Sequence, residues 1–226
     1  MTDYHCHILP RMDDGPKDLA MSLDMIRLMM AQGVGRIVAT PHFYADREEG
    51  VRAFLERRQE AYREIIDTDI TMPYLYLGAE VAVERGISSL PGVHQLTLAD
   101  TPYILLELPY APFAHWMLEE IDALSQRYGL TPVLAHVHRY ARFYTPGQMA
   151  EVLRTEAVLQ FNNEAFRNFQ ERRLALSLIR KGCPYILGSD AHNLTRRRPD
   201  WDLLKRKVRP GIISRQEDLF QNAENP

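Results

Sequence analysis

Residues 103–108 read Tyr-Ile-Leu-Leu-Glu-Leu, and residues 185–192 read Tyr-Ile-Leu-Gly-Ser-Asp-Ala-His. Both are short apolar runs without the in-out alternation of a half-solvated strand, the pattern of a strand buried on both faces. Further strand candidates are 3–7, 36–40, 74–81, 132–136 and 158–162. Segments of helical period lie between them. In 17–32, Leu19, Leu23, Ile26 and Met30 form one stripe. In 51–66 the expected buried side is Phe54, Leu55, Tyr62, Ile65 and Ile66. Helices are also expected over 116–128, 146–154 and 166–181, with Gly182 at the C′ position of the last. From Arg209 onward the pattern gives a loop and a short helix before a polar end, QNAENP. Strand and helix alternate throughout, so the sheet is parallel with crossover helices. A closed, TIM-like βα barrel is the first reading and an open doubly wound sheet the second. No internal repeat or linker divides residues 1–226, so one domain is the simplest organisation.

The 226 residues are 46% hydrophobic and 25% charged, as in a globular chain with a sizeable core. A net charge of -3 gives no basic excess for nucleic acid. Lys17, Lys181, Lys205 and Lys207 are the only lysines among 27 basic residues, so arginine dominates. Arginine suits bidentate contact with phosphate or carboxylate, although codon usage in a GC-rich genome produces the same bias. The first ten residues, MTDYHCHILP, lack the basic and apolar regions of a signal peptide. No apolar run approaches the roughly 20 residues of a membrane span. With only two cysteines, the expectation is a cytoplasmic protein without disulfides.

His5-Cys6-His7 places two imidazoles on one face of a strand, where they can share a divalent metal. Alone, that spacing also arises by chance in a core strand. Its companions change the reading. Asp13 and Asp14 follow in a loop, His42 comes after the second strand, and Glu80 ends the third. Glu107 lies near the end of the fourth and His136 ends the fifth, while Asp190 and His192 follow the seventh. In a parallel α/β fold all these strand ends face one side, where active sites are assembled. A carboxylate inside an apolar run requires a cation or guanidinium nearby. His94 and His115 fall in loops and read as surface residues, whereas His138, two after His136, is placed equally well in the cavity or outside it. Two or three divalent ions suit hydrolysis of phosphate esters. Arg139, Arg196, Arg197 and Arg198 are candidate phosphate contacts, or simply solvated loop residues. A cysteine-based phosphatase is excluded, because its loop needs arginine six positions after the thiolate. Met12 and Ser189 stand there instead, so Cys6 and Cys183 read as packing residues.

The order His-x-His, Asp-Asp-Gly-Pro, Thr-Pro-His, Gly-x-Glu, Glu, Ala-His and Ser-Asp-Ala-His resembles the polymerase-and-histidinol-phosphatase (PHP) superfamily. Residues 3–25, DYHCHILPRMDDGPKDLAMSLDM, look like the manganese-dependent protein tyrosine phosphatases of Gram-positive capsular and exopolysaccharide operons. The resemblance implies a distorted seven-stranded βα barrel around a three-metal centre. Its ligands would be His5, His7, Asp14, His42, Glu80, Glu107, His136, Asp190 and His192, with Glu80 bridging. Arg139, Arg197 and His192 would form the catalytic set, the arginines touching the substrate phosphate. Manganese is the implied ion, and the mixed imidazole and carboxylate donors would also accept iron, cobalt or zinc. The implied substrate is the phosphotyrosine tail of a bacterial tyrosine kinase, attacked directly by a metal-activated hydroxide. Three features depart from the family pattern. His138 stands where an acidic residue is usual, Asn162-Asn163-Glu164 replaces a small Gly/Ser-containing stretch, and the C-terminal segment is short.

Other readings remain open on the sequence. The same ligands would serve a phosphoesterase acting on histidinol phosphate or a nucleotide. An amidohydrolase also opens with His-x-His, but no lysine here ends a predicted barrel strand to carry the carboxylated bridge. A non-catalytic regulator of a membrane kinase would not need a complete ligand set. Oligomeric state is not legible.

Overall fold

The computed structural model describes residues 1–220, and the polar end at 221–226 lies outside the described residues. In chain order the elements are β1 (Thr2–Cys6), α1 (Leu19–Ala31), β2 (Arg36–Ala39), β3 (His42–Phe43), α2 (Val51–Ile66), β4 (Tyr74–Leu77) and β5 (Glu80–Ala82). There follow β6 (Tyr103–Glu107), α3 (Trp116–Tyr128), β7 (Thr131–Leu134), α4 (Pro146–Val152), β8 (Val158–Asn162), α5 (Phe169–Arg180), β9 (Tyr185–Gly188), α6 (Trp201–Lys207) and α7 (Pro210–Ser214). Every strand pairing is parallel. One set runs β1-β2-β4 and the other β3-β5-β6-β7-β8-β9.

The two sets form one distorted (β/α)7 barrel, because two of its strands are broken. Thr40 and Pro41 separate β2 from β3, where proline has no amide hydrogen for the ladder. Gly78 and Ala79 separate β4 from β5. A side chain at Gly78 would put its Cβ 2.8 Å from Leu98 Cδ2, so glycine spares that buried leucine a shift. Arg58 of α2, almost fully buried, donates to the Gly78 carbonyl at 2.7 Å and holds the break in place. The last seam closes between β9 and β1: the Asp190 amide donates to the His5 carbonyl at 2.7 Å, and the His7 amide to Ala191 at 2.9 Å.

The barrel interior is layered. Tyr4, Val38, Leu105, Val133, Val158 and Ile186 form an inner apolar cluster, while their strand neighbours Ile37, Ala39, Ile104, Leu106, Leu134, Leu159 and Leu187 pack outward against the helices. Above the inner cluster, toward the carboxyl ends, the inward positions turn polar. Gln160 and Asn162 share the face of Val158, since side chains alternate along a strand. In β1 the register slips between Asp3 and Cys6, a bulge that re-aims the side chains. Tyr4 and His5 thereby both serve the interior, while Cys6 joins the outer core.

Some expectations need correction. The buried residues of α1 are Ser22, Met25, Ile26 and Met29: of the expected Leu19–Leu23–Ile26–Met30 stripe Ile26 is buried, while Leu19, Leu23 and Met30 are half-buried. Ile66 of α2 is exposed, and Arg58 takes a buried position instead. The expected 166–181 helix begins at Phe169 after a single 3₁₀ turn over Asn163–Phe166, and Gly182 does take the left-handed C′ conformation, with φ 83. His7 lies just past β1, Glu80 opens β5 rather than ending an unbroken strand, and His136 lies two residues beyond β7.

Candidate metal centre

The nine predicted donors converge on the mouth of the barrel. His5 Nε2 and His7 Nε2 stand 3.2 Å apart, and each is 3.2 Å from Glu80 Oε2. Asp190 Oδ1 lies 3.7 Å from the first and 3.5 Å from the second. His42 Nδ1 is 3.1 Å from Glu80 Oε2 and 3.9 Å from Glu107 Oε2. His136 Nε2 is 2.9 Å from Glu80 Oε1 and 3.2 Å from Glu107 Oε1. At the outer side, His192 Nε2 is 3.1 Å and His42 Nε2 3.7 Å from Asp14 Oδ1. Eight of the nine fall into three overlapping groups: His7-Asp14-His42-His192, His5-His7-Glu80-Asp190 and His42-Glu80-Glu107. Donors around an ion at about 2.0–2.2 Å necessarily stand about 3 Å from one another, which is the spacing here.

Two observations favour ions over an ion-pair network. Glu80 Oε2, His42 Nδ1 and His192 Nε2 are buried without a hydrogen-bond partner among the described residues, although neighbouring donors and acceptors crowd them. Three imidazoles also turn their other nitrogen outward to a fixed acceptor. His5 Nδ1 meets Gln160 Oε1 at 3.1 Å, His7 Nδ1 meets Asp13 Oδ2 at 2.6 Å, and His192 Nδ1 meets the Asp190 carbonyl at 3.0 Å. With metal bound, these acceptors would keep the protons on Nδ1 and leave each Nε2 lone pair facing the centre, as in metal-bound histidines. The residues present fit a cluster of divalent ions.

Backbone strain collects at the same place. His136 and Asp190 hold φ of 31° and 50°, the left-handed region that side chains other than glycine rarely adopt. Each costs on the order of 1–3 kcal/mol, sustained by the surrounding contacts. At Gly188 a Cβ would stand 2.6 Å from His5 Cβ, so only glycine lets β9 approach β1 here.

Two guanidiniums clamp Asp190 from above. Arg139 Nη2 meets its Oδ2 at 2.8 Å and Arg197 Nη2 its Oδ1 at 2.8 Å. Arg139 also pairs with Glu164, and Arg197 reaches Asp14 at 3.2 Å. The turn after His192 delivers Arg197: Asn193 Oδ1 accepts the Arg197 amide at 3.0 Å, and the Arg197 carbonyl accepts the His192 amide at 2.8 Å. Arg139, Arg197, Tyr44 and Tyr110 line a cavity of about 310 Å³ whose floor is His42, Glu80, Glu107 and His136. Tyr110 Oη lies 3.4 Å from both His136 Nδ1 and an Arg139 amino group.

Electrostatics follow from this packing. Burial would raise the Glu80 carboxyl, yet His5, His136 and His7 hold it well below the usual carboxylate range. Burial opposes ionisation of Asp190 as well, and His5, Arg139 and Arg197 overcome it. For His7, burial is outweighed by Asp13 and Glu80, which push it up to about 10. For His136, burial is outweighed by Glu107 and Glu80, which push it up to about 9. A raised pKa means that the proton is held at neutral pH, so metal must displace it. Stripped of metal at pH 7, the protein should release on the order of two protons on Mn²⁺ uptake, and affinity should climb as pH rises toward 9–10. Calorimetric titration in buffers of different ionisation enthalpy counts them, and release of none contradicts this account of the histidines.

Several supporting residues were not given their roles from sequence. Asp13, next to predicted Asp14, is the carboxylate behind His7, and it also accepts the His42 amide at 2.9 Å. Gln160 accepts from both His5 and the His136 amide, and Asn162 donates to Asp190 Oδ2 at 2.8 Å. Their i, i+2 spacing in an apolar strand was a readable signal. Asp13→Asn should weaken metal binding by about 10–100-fold while leaving the fold intact, measured by competition with a chelating dye. His138 does not join the cluster. It is fully buried near Phe161, both ring nitrogens lack partners among the described residues, and burial, then Arg139 and His136, hold it well below the ordinary histidine range. His94 and His115 are exposed, as expected. Cys6 is buried and its thiol is pushed well up by burial and then by Asp3, Asp190 and Asp13, which rules it out as a nucleophile.

Relatives share this architecture over nearly the whole chain. Tyrosine-protein phosphatase YwqE of Bacillus subtilis is 31% identical over 206 residues, covering 87% of this chain and 79% of the relative. Tyrosine-protein phosphatase CpsB of Streptococcus pneumoniae is 29% identical over 219 residues, covering 88% and 86%. A crystal structure from a study of YwqE and CpsB as unique metal-dependent tyrosine phosphatases superposes with a TM-score of 0.75 at 29% identity, covering 90% of this chain and 84% of the other. The family model for capsular polysaccharide synthesis, CpsB/CapC, matches residues 1–222, and the chain belongs to that family.

Proposed function

We propose that this chain is a metal-dependent protein-tyrosine phosphatase, a phosphoric monoester hydrolase of capsular or exopolysaccharide synthesis. The observation that carries the reading is the nine-donor mouth with two arginines and two tyrosines around one cavity. Its similarity to YwqE and CpsB, tyrosine-protein phosphatases, supports the same chemistry. His5, His7, Asp14, His42, Glu80, Glu107, His136, Asp190 and His192 would hold three ions, with manganese as the native metal and iron, cobalt or zinc as substitutes. Bound divalent ions polarise phosphoryl oxygens, lower the pKa of a water and neutralise the leaving oxygen.

The chain's own groups do the rest. Arg139 and Arg197 bind the remaining phosphate oxygens, held in place by Asp190 between them. Tyr44 and Tyr110 flank the substrate's aromatic ring and limit water in the cavity. Asp13, Gln160 and the Asp190 carbonyl keep the protons of His7, His5 and His192 on their outer nitrogens. The substrate would be the phosphotyrosine tail of a tyrosine kinase on the cytoplasmic side, and residues 1–226 would act as a single unit. No helix among the described residues is long and apolar enough to cross a membrane.

The test is a substrate panel: Mn²⁺-loaded protein against phosphotyrosine and phosphoserine peptides, histidinol phosphate and a nucleotide. Preference for the phosphotyrosine peptide supports the reading. Turnover of histidinol phosphate or the nucleotide alone would keep the site and replace the substrate.

A further inference from the structure

A second cavity, of about 400 Å³, adjoins the one over the metal centre, and Arg197 lines both. Arg167, Arg196 and Arg198 line it with Arg197, so its wall is rich in arginine. Its carboxylates are largely spoken for: Asp200 pairs with Arg167 at 2.9 Å, Glu164 with Arg139, and Asp190 with Arg139 and Arg197. Arg196 and Arg198 have no carboxylate within 4.0 Å among the described residues, and both are exposed. Asn163 also lines the cavity. It is 1% exposed, and neither its amide nitrogen nor its oxygen has a hydrogen-bond partner among the described residues. A buried primary amide left unpaired is unfavourable, so an orphan donor marks a place where a ligand completes the bonding. A trapped water would satisfy Asn163, but it would not account for two unpaired arginines on the same wall.

We propose that this cavity is an anion subsite that binds a carboxylate or phosphate on a substrate residue flanking the scissile phosphotyrosine, a reading that rests on the proposed phosphatase function. The two cavities share Arg197, which places the second beside the phosphate held by that residue. An extended peptide advances about 3.3 Å per residue, which brings a close neighbour of the tyrosine within range. Asn163 and Glu164, just past the end of β8, supply two residues of the wall.

The test compares metal-loaded wild type with the Arg196→Gln/Arg198→Gln double variant on three kinds of phosphotyrosine peptide. One carries aspartate at the two positions on either side of the phosphotyrosine, one a second phosphotyrosine, and one asparagine at the same positions. Wild type should show kcat/KM about tenfold higher for an anionic peptide than for the neutral one, as expected of a charge-assisted contact, and the ratio should fall toward one in the double variant and at high salt. Preference for aspartate alone assigns a carboxylate to the subsite, and preference for the second phosphotyrosine alone assigns a phosphate. A ratio near one in wild type, or one unchanged in the double variant, overturns the proposal. Calorimetric binding of the unphosphorylated aspartate and asparagine peptides gives a readout independent of turnover. If no peptide is hydrolysed, the phosphatase reading fails, while the ratio of dissociation constants still decides the subsite.

Discussion

Glu80→Gln should lower kcat/KM for a phosphotyrosine peptide by about three orders of magnitude or more, because on the proposed reading one carboxylate would serve several ions at once. Its Oε2 lies within 3.2 Å of nitrogens on His5, His7 and His42, and its Oε1 lies 2.9 Å from His136. Glutamine keeps the volume but removes the charge, and its amide turns a donor toward nitrogens whose lone pairs are meant for metal. The fold should survive, since the backbone of residue 80 still pairs with Pro41 and β6. Elemental analysis of the purified variant should therefore find fewer ions per chain in a folded protein. A variant that keeps the full metal content and stays within about tenfold of wild-type activity would remove Glu80 from the bridging role.

Trp201→Ala should lower unfolding stability by about 3–5 kcal/mol in metal-free protein, the range for a buried tryptophan truncated to alanine. Trp201 is fully buried, and its indole Nε1 donates to Asp3 Oδ2 at 2.9 Å. Asp3 also accepts from the Ser189 amide at 2.9 Å and the His5 amide at 3.3 Å, so the residue that anchors α6 also ties the last strand to the first. Burial already pushes the Asp3 carboxyl up, and the Ser189 and Trp201 bonds restrain it. Losing the indole leaves a cavity and a poorly satisfied buried acid. Trp201→Phe keeps most of the volume and should cost about 1–3 kcal/mol. Urea unfolding in chelator separates the cases, and a loss under about 1 kcal/mol for alanine would show that α6 does not hold the seam. Added Mn²⁺ should recover part of the stability, since it binds only the folded chain.

The strand pattern was legible because strands buried on both faces read as unbroken apolar runs, and 158–162 and the helices 51–66 and 116–128 lie where periodicity puts them. What periodicity could not show was where a strand stops pairing. The break at Gly78-Ala79 is set by crowding from Leu98 and a guanidinium from α2, both distant in sequence, whereas Pro41 at the other break is a local signal that strand periodicity does not use. The α1 stripe was displaced because Leu19, Leu23 and Met30 reach only the rim of the core. At the site, residue type and strand-end position brought the donors into view and the family resemblance narrowed them to nine, yet nothing local distinguished Asp13 from Asp14. One sits behind His7 and the other faces His192 only because the loop turns between them, with Gly15 donating back to Asp13 at 2.9 Å. Helix α6 was missed because it is short and follows three arginines and a proline, although Asp200 caps it through the Leu203 amide at 3.2 Å.

The central claim is that three overlapping donor groups at the barrel mouth hold the ions that drive phosphotyrosine hydrolysis. Its most direct test is to strip the protein with chelator and titrate Mn²⁺ back while following release of phosphate from a phosphotyrosine peptide. The account predicts no turnover without metal and a rise that levels off at about three ions per chain, one for each donor group. A protein that binds Mn²⁺ and still releases no phosphate at any loading, or that turns over fully after stripping, would contradict it.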